Sequence, residues 1–287
     1  MMTFRLFAVL VAAGLPSFGQ TPSASALNLY RAKDYPAAQT AYAAIAAAEP
    51  QNAEAQFYLG VLAEKRGENE LAIRHLEQAV TLAPQRSDYV LELGGAYGTA
   101  AQKATLLNKM GWAKKCAAAL EKAVQLDPEN LTARNGLISF YREAPSFVGG
   151  GIHKAYVQAE EIRKRDPVMG AAVLGQLYLS EKKFAEAFVA YESALDTSPD
   201  NYSILYGIGR AAAQTGFNLV RGEQALRRCL ELKPGHGDAG PAPIQWRLGN
   251  IAEQRGDRPA ARAAYEAAVA ADPGFTQAAE SLAKLGN

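Results

Sequence analysis

The sequence predicts an all-α fold, a helical solenoid of about seven helix–turn–helix repeats closed by a C-terminal capping helix. Three observations predict it. A pattern of Leu-Gly, Ala, a large residue, Ala and Pro recurs along the 287 residues, with steps of 12, 4, 3 and 5 from the Gly onward. Steps of three and four place those residues on one face of a helix. Gly and Pro fall where such helices have to stop and start, as left-handed C-terminal residues and as first-turn prolines.

In chain order, the first nineteen residues stand apart. Arg5 precedes an apolar run, Leu6–Leu15, which ends at Pro16 and the small residues Ser17 and Gly19. That order is expected of a secretory signal peptide, cleaved after Gly19. The run is too short for the roughly 20 residues of a membrane-spanning helix. Ala24-Ser25-Ala26 is a second cleavage candidate, but cutting there removes part of the first repeat. Two segments are thus expected, a signal peptide over residues 1–19 and a repeat array over 20–287.

The first repeat carries Ala26, Leu29, Ala38 and Tyr42, with Ile45 for the second Ala. The second has Leu59-Gly60, Ala72, Leu76, Ala79 and Pro84. The third has Leu93-Gly94, Tyr97, Leu120, Ala123 and Pro128, with Cys116 in place of an Ala. The fourth keeps Tyr141, Ala155 and Pro167 but reads Leu137-Ile138 where the others have a Gly. The fifth runs Leu174-Gly175, Tyr178, Ala187, Tyr191, Ala194 and Pro199. The sixth has Ile208-Gly209, Leu226 and Pro234, with Gly222 and Cys229 at small positions. The seventh has Leu248-Gly249, Ala252, Ala261, Tyr265, Ala268 and Pro273. Small residues let two helices approach, large ones fill the space between them, and each pair needs a neighbour to cover its other side. Phe275–Leu285 follows as a capping helix with Gln277, Glu280 and Lys284 outward.

Extra residues fall in three places, 98–111, 144–152 and 235–241. Such inserts map to the surface of a solenoid. The first reads as an extension of both helices of its repeat, with Leu106, Leu107 and Met110 able to pack between them and Trp112 in core packing. Gly149-Gly150-Gly151-Ile152-His153-Lys154 lacks the strand, the spacing and the Ser or Thr of a phosphate loop. It reads as a turn into a helix whose first inward residue is Ala155.

This combination resembles the tetratricopeptide repeat family, whose unit is a helix–turn–helix of about 34 residues. The resemblance implies a right-handed superhelix with first helices on the concave face and second helices on the convex face. It implies a groove for a segment of another protein, lined by the fifth and ninth residues of each repeat. Those are Phe57 and Val61, Leu91 and Gly95, Asn135 and Ser139, Ala172 and Gln176, Tyr206 and Arg210, Trp246 and Asn250. Aromatic residues and Arg are the usual anchors of interfaces, which singles out Phe57, Tyr206, Arg210 and Trp246. The Lys with which some family members clamp a C-terminal carboxylate is absent from the fifth position of every repeat.

Composition and chemistry point the same way. Thirty Lys and Arg against 29 Asp and Glu give no basic footprint for nucleic acid. Cys116 and Cys229 sit at packing positions of distant repeats and read as buried free thiols. His75, His153 and His236 are scattered, with no second ligand at metal spacing. No nucleophile stands in a catalytic constellation. Neither a cofactor nor a metal is expected. The expectation is an exported, periplasmic or secreted adaptor with no enzymatic activity. The alternatives are a self-associating spacer and a ligand-binding protein or enzyme using the inserted loops.

Overall fold

The computed structural model describes residues 22–286. The signal peptide expected over residues 1–19 lies outside them, as do the side chains of Leu106 and Leu107. Every helix and turn among the described residues belongs to an all-helical chain without strands. It divides into two compact units that meet in sequence at Asp127 and Pro128.

The first unit holds α1 (Pro22–Arg31), α2 (Tyr35–Ala48), α3 (Ala53–Lys65), α4 (Asn69–Leu82), α5 (Ser87–Lys103) and α6 (Leu106–Leu126). The second holds α7 (Leu131–Glu143), α8 (Ile152–Arg165), α9 (Pro167–Ser180), α10 (Phe184–Leu195), α11 (Tyr202–Thr215), α12 (Leu219–Glu231), α13 (Pro241–Gln254), α14 (Arg258–Ala271) and α15 (Thr276–Leu285). Within each unit the helices pack in sequence order, first helix on second helix and second helix on the next first helix. This is the solenoid arrangement of the repeats, and α15 closes it against α13 and α14.

Local chemistry sets the helix limits. Side chains of Asp34, Asn52, Asn130, Asp166, Asn201 and Asp257 accept hydrogen bonds from the backbone N–H three residues on. Each satisfies one of the orphan donors of a helix N-terminus. Asp166 ends α8 and caps α9 at once, so Pro167 opens a first helix as well as following a second one. Gly67 and Gly256 take the left-handed conformation between the helices of their repeats, with φ of 77° and 79°. Lys33 and Lys182 hold the same left-handed position in the first and fifth repeats, at 63° and 60°.

The Leu-Gly motif works by close approach. A Cβ on Gly60 would lie 2.6 Å from Leu76, on Gly175 2.4 Å from Tyr191, and on Gly249 2.3 Å from Tyr265. In each case the opposing atom belongs to the large residue of the second helix. The fourth repeat exchanges the sizes. Ile138 stands at the glycine position, while Ala159 stands where the others carry Leu or Tyr, and both are buried. Total volume is kept, which cores tolerate well.

The first two inserts are built into helices and a turn. Residues 98–111 lengthen α5 and α6 to 17 and 21 residues. Met110 does not pack between them as expected: it is 44 % exposed. Trp112 is half-buried against Tyr97 at 5.7 Å. Residues 144–152 form a 3-10 turn, Ser146–Val148, folded tightly enough that a Cβ on Gly150 would meet the Ala144 carbonyl oxygen at 1.8 Å. Ala155 follows it as the first fully buried residue of α8. Both cysteines are free and buried. Burial pushes the thiol pKa up, to about 11 at Cys116 and about 12 at Cys229.

Candidate protein-binding face

The first helices touch one another directly, α3 with α5 in the first unit and α9, α11 and α13 in series in the second. Residues on these helices therefore lie near their counterparts on the next first helix, while Asn135 and Ser139 lie on α7, outside these contacts.

In the first unit the row is taken up by packing. Phe57 stacks on Tyr89 with centroids 4.3 Å apart. Tyr58 stacks on Tyr42 at 4.6 Å, and Tyr30 meets Tyr58 and Tyr35. The Lys65 ammonium covers the Tyr35 ring at 5.0 Å. Val61 is 7 % exposed and belongs to the core, not to an open groove, because its neighbours close over a short β-branched side chain. Leu91 is half-buried and Gly95 is exposed. The Glu64 carboxyl on α3 is pushed up to about 7, first by burial and then by the neighbouring Glu92 carboxylate on α5. Sequence reasoning missed this pair, which only the apposition of two first helices brings together.

In the second unit the row is more open. Asn135, Ser139 and Gln176 are exposed, and Ala172, Tyr206, Arg210, Trp246 and Asn250 are half-buried. Trp246 is partly engaged by the cap: its indole N–H donates to Ser281 Oγ at 3.0 Å and its ring meets Phe275 edge-on. Asn250 Oδ1 accepts from the Tyr265 hydroxyl at 2.8 Å. The Arg247 guanidinium, not singled out in the sequence, donates from Nε to the Tyr206 hydroxyl at 3.0 Å and lies over both the Tyr206 and Trp246 rings.

His75 is half-buried, with Nδ1 2.7 Å from Gln56 Oε1, and burial lowers its pKa. Among the described residues no group of three His, Cys, Asp or Glu side chains is placed to hold a metal ion. No described helix is long and apolar enough to cross a membrane. On the second-helix side, Ala185, Phe188, Val189 and Phe217 line an open dent of about 460 Å³.

An array of helix pairs with open rows of first-helix side chains defines a repeat scaffold. A tetratricopeptide repeat model matches residues 24–87, 172–236 and 245–286, and a second tetratricopeptide repeat model matches 98–130. The chain belongs to the tetratricopeptide repeat family, whose members generally mediate protein–protein interactions and are typically non-enzymatic scaffolds. Neither model matches residues 131–171, where Ile138 and Ala159 exchange sizes. Among solved structures, a tetratricopeptide repeat protein from Parabacteroides merdae is 13 % identical, with a TM-score of 0.61 over 92 % of this chain and 96 % of that one. Pseudomonas aeruginosa PilF is 20 % identical, with a TM-score of 0.53 over 81 % and 97 %. PilW, described as a widely conserved type IV pilus biogenesis factor, is 15 % identical, with a TM-score of 0.50 over 91 % and 96 %. At these identities the likeness is one of fold. No curated protein sequence matches the chain.

Proposed function

We propose that this protein is an exported, non-enzymatic adaptor that holds a segment of a partner protein along the first-helix face of its second unit. The observation that carries the reading is the direct contact of α9, α11 and α13. It brings the first helices side by side, with Gln176 exposed and Tyr206, Arg210 and Trp246 half-buried on them. Tyr, Trp and Arg are the side chains that most often anchor interfaces. Of the groove residues of the first unit, Phe57 and Val61 are assigned to support instead, because Phe57 is stacked on Tyr89 and Val61 is buried. Both thiols are buried with raised pKa, which keeps them out of thiolate chemistry.

Export is part of the proposal. The basic, apolar and small-residue order of residues 1–19 supports it. PilW's part in pilus biogenesis is that protein's own, and it makes envelope assembly the first process to test here.

The test is capture from an envelope extract by the chain Gln20–Asn287, compared with a Gln176→Ala, Tyr206→Ala variant that retains its circular dichroism. A partner held by the first and lost by the second supports the reading. Equal capture by both places the site elsewhere. Sedimentation over a concentration series, with a concentration-dependent dimer or larger species, would instead favour the self-associating spacer. Export is checked by mass spectrometry of the chain recovered outside the cytoplasm, expected to begin at Gln20; a chain found only in the cytoplasm with Met1 intact contradicts it.

A further inference from the structure

The third repeat is longer than the second, and its extra length lies at one end. α5 has 17 residues where α3 has 13, and α6 has 21 where α4 has 14. α5 starts where the repeat puts it, at Ser87 against Ala53, and Pro128 follows α6 as Pro84 follows α4. The added turns therefore sit where α5 ends and α6 begins. At 1.5 Å per residue they extend this end by about 6 Å along α5 and about 10 Å along α6.

The chemistry of that end is one-sided. Residues 93–120 hold four lysines and no carboxylate. Lys115 is taken up by Glu77 at 3.7 Å and by the rings of Tyr97 and Trp112. Lys103, Lys109 and Lys114 are exposed, and among the described residues no carboxylate pairs with them. Met110 is exposed beside them. With 3.6 residues per turn, Lys109, Met110 and Lys114 fall within an arc of about 140° around α6, Met110 between the two lysines. Lys103 closes α5 on the other side of the turn. The remaining exposed side chains there, Thr105 and Asn108, are uncharged. The sequence that opens α6, Leu-Leu-Asn-Lys-Met-Gly-Trp, mixes apolar residues with the cation.

We propose that the projecting end of the α5–α6 pair rests on an anionic lipid surface, with Lys103, Lys109 and Lys114 on the headgroup phosphates and Met110 at the boundary of the acyl chains. An interfacial helix binds in this way, through apolar area on one side and attraction of its lysines to negative lipid on the other. Lysine suits the place because its methylene stem lies along apolar surface while the ammonium reaches the phosphate. A projecting end with no groove fits a broad surface. A nucleic acid would take the same lysines but leave Met110 in water. The proposal goes beyond the adaptor reading and uses the first unit, while the partner face belongs to the second.

The test is flotation of Gln20–Asn287 with vesicles of phosphatidylcholine alone and of phosphatidylcholine mixed equally with phosphatidylglycerol. Association with the mixed vesicles only, falling as salt is added, is the expected result. Lys103→Gln, Lys109→Gln, Lys114→Gln should weaken it about a hundredfold. Lys182→Gln, Lys233→Gln, Lys284→Gln removes the same charge from the second unit and should leave it as in the parent. An environment-sensitive dye attached at Met110→Cys reads the apolar contact, since Cys116 and Cys229 are buried. Its emission should shift to the blue on mixed vesicles. No association, equal association with both lipids, or equal losses in the two triple variants overturns the proposal. Flotation without the blue shift shows a charge contact that any polyanion would satisfy, and it overturns the lipid assignment.

Discussion

The first-helix rows of the two units use the same repeat positions to different ends. In the first unit, Phe57, Tyr58, Tyr89 and Tyr42 spend their faces on one another and Lys65 on Tyr35. In the second, Asn135, Ser139 and Gln176 are exposed, and the Arg247 guanidinium lies over Tyr206 and Trp246. A position within the repeat thus fixes which way a side chain leaves its helix, while the neighbouring repeat decides whether anything is left for a ligand.

If that contrast is right, Phe57→Ala acts on stability and Tyr206→Ala on binding. Loss of the stacked Phe57 ring should cost about 3 kcal/mol in urea unfolding, with partner capture unchanged once the variant is folded. Tyr206→Ala should lose capture in a variant that still unfolds cooperatively. The reverse pattern would show that the two units have the opposite roles.

A similar contrast holds between a packed and an open glycine of two first helices. Gly175→Ala pushes a Cβ into the Tyr191 ring at 2.4 Å and should destabilise by about 2 kcal/mol. Gly95→Ala meets nothing within 4 Å and, replacing a helix-interior glycine, should stabilise by roughly 0.5–1 kcal/mol. Thermal unfolding of both variants checks the pair, and equal losses would show that the close approach at Gly175 is relaxed in solution.

A smaller, pH-dependent effect belongs to the first unit alone. The folded state holds a proton on Glu64, at about 7, that the unfolded chain releases near the ordinary carboxylate value. Stability should therefore fall as pH rises from about 4.5 through 7. With partial solvent screening the loss is about 1 kcal/mol. Glu64→Gln should flatten that slope in urea titrations at pH 5 and pH 8, and an unchanged slope would place the titrating group elsewhere. Smallest of all, Lys33→Gly relieves a left-handed residue and should gain about 0.5 kcal/mol, the net of relieved strain and added chain entropy.

Much of this architecture is legible in the sequence because repeat packing is periodic. The spacing from Gly60 to Leu76, or from Gly249 to Tyr265, names pairs that do meet, and Gly67 and Gly256 mark left-handed turns. The lengthened α5 and α6 and the two buried thiols follow from the same register. What escapes the register depends on particular neighbours. Val61 is buried by residues that no offset specifies, Trp246 is engaged by a cap residue 35 positions away, and Met110 lies on the outside of its helix. The left-handed lysines carry no turn signature, and Asp166 serves two helices at once. Arg247 sits beside the expected position, and its role appears only through Tyr206. The Glu64–Glu92 pair joins two helices, so no local pattern announces it.

The first-helix face of the second unit is the proposed resting place of a partner segment. A photo-crosslinking residue placed at exposed Gln176 on α9, compared with one at Val189 on α10, which is 70 % exposed on the second-helix side, tests it most directly in cells expressing the full chain. The account predicts a discrete crosslinked partner from position 176 that disappears with Tyr206→Ala, and none from position 189. Crosslinking from 189 and not from 176 would contradict it and move the binding site to the dent beside Phe188 and Phe217.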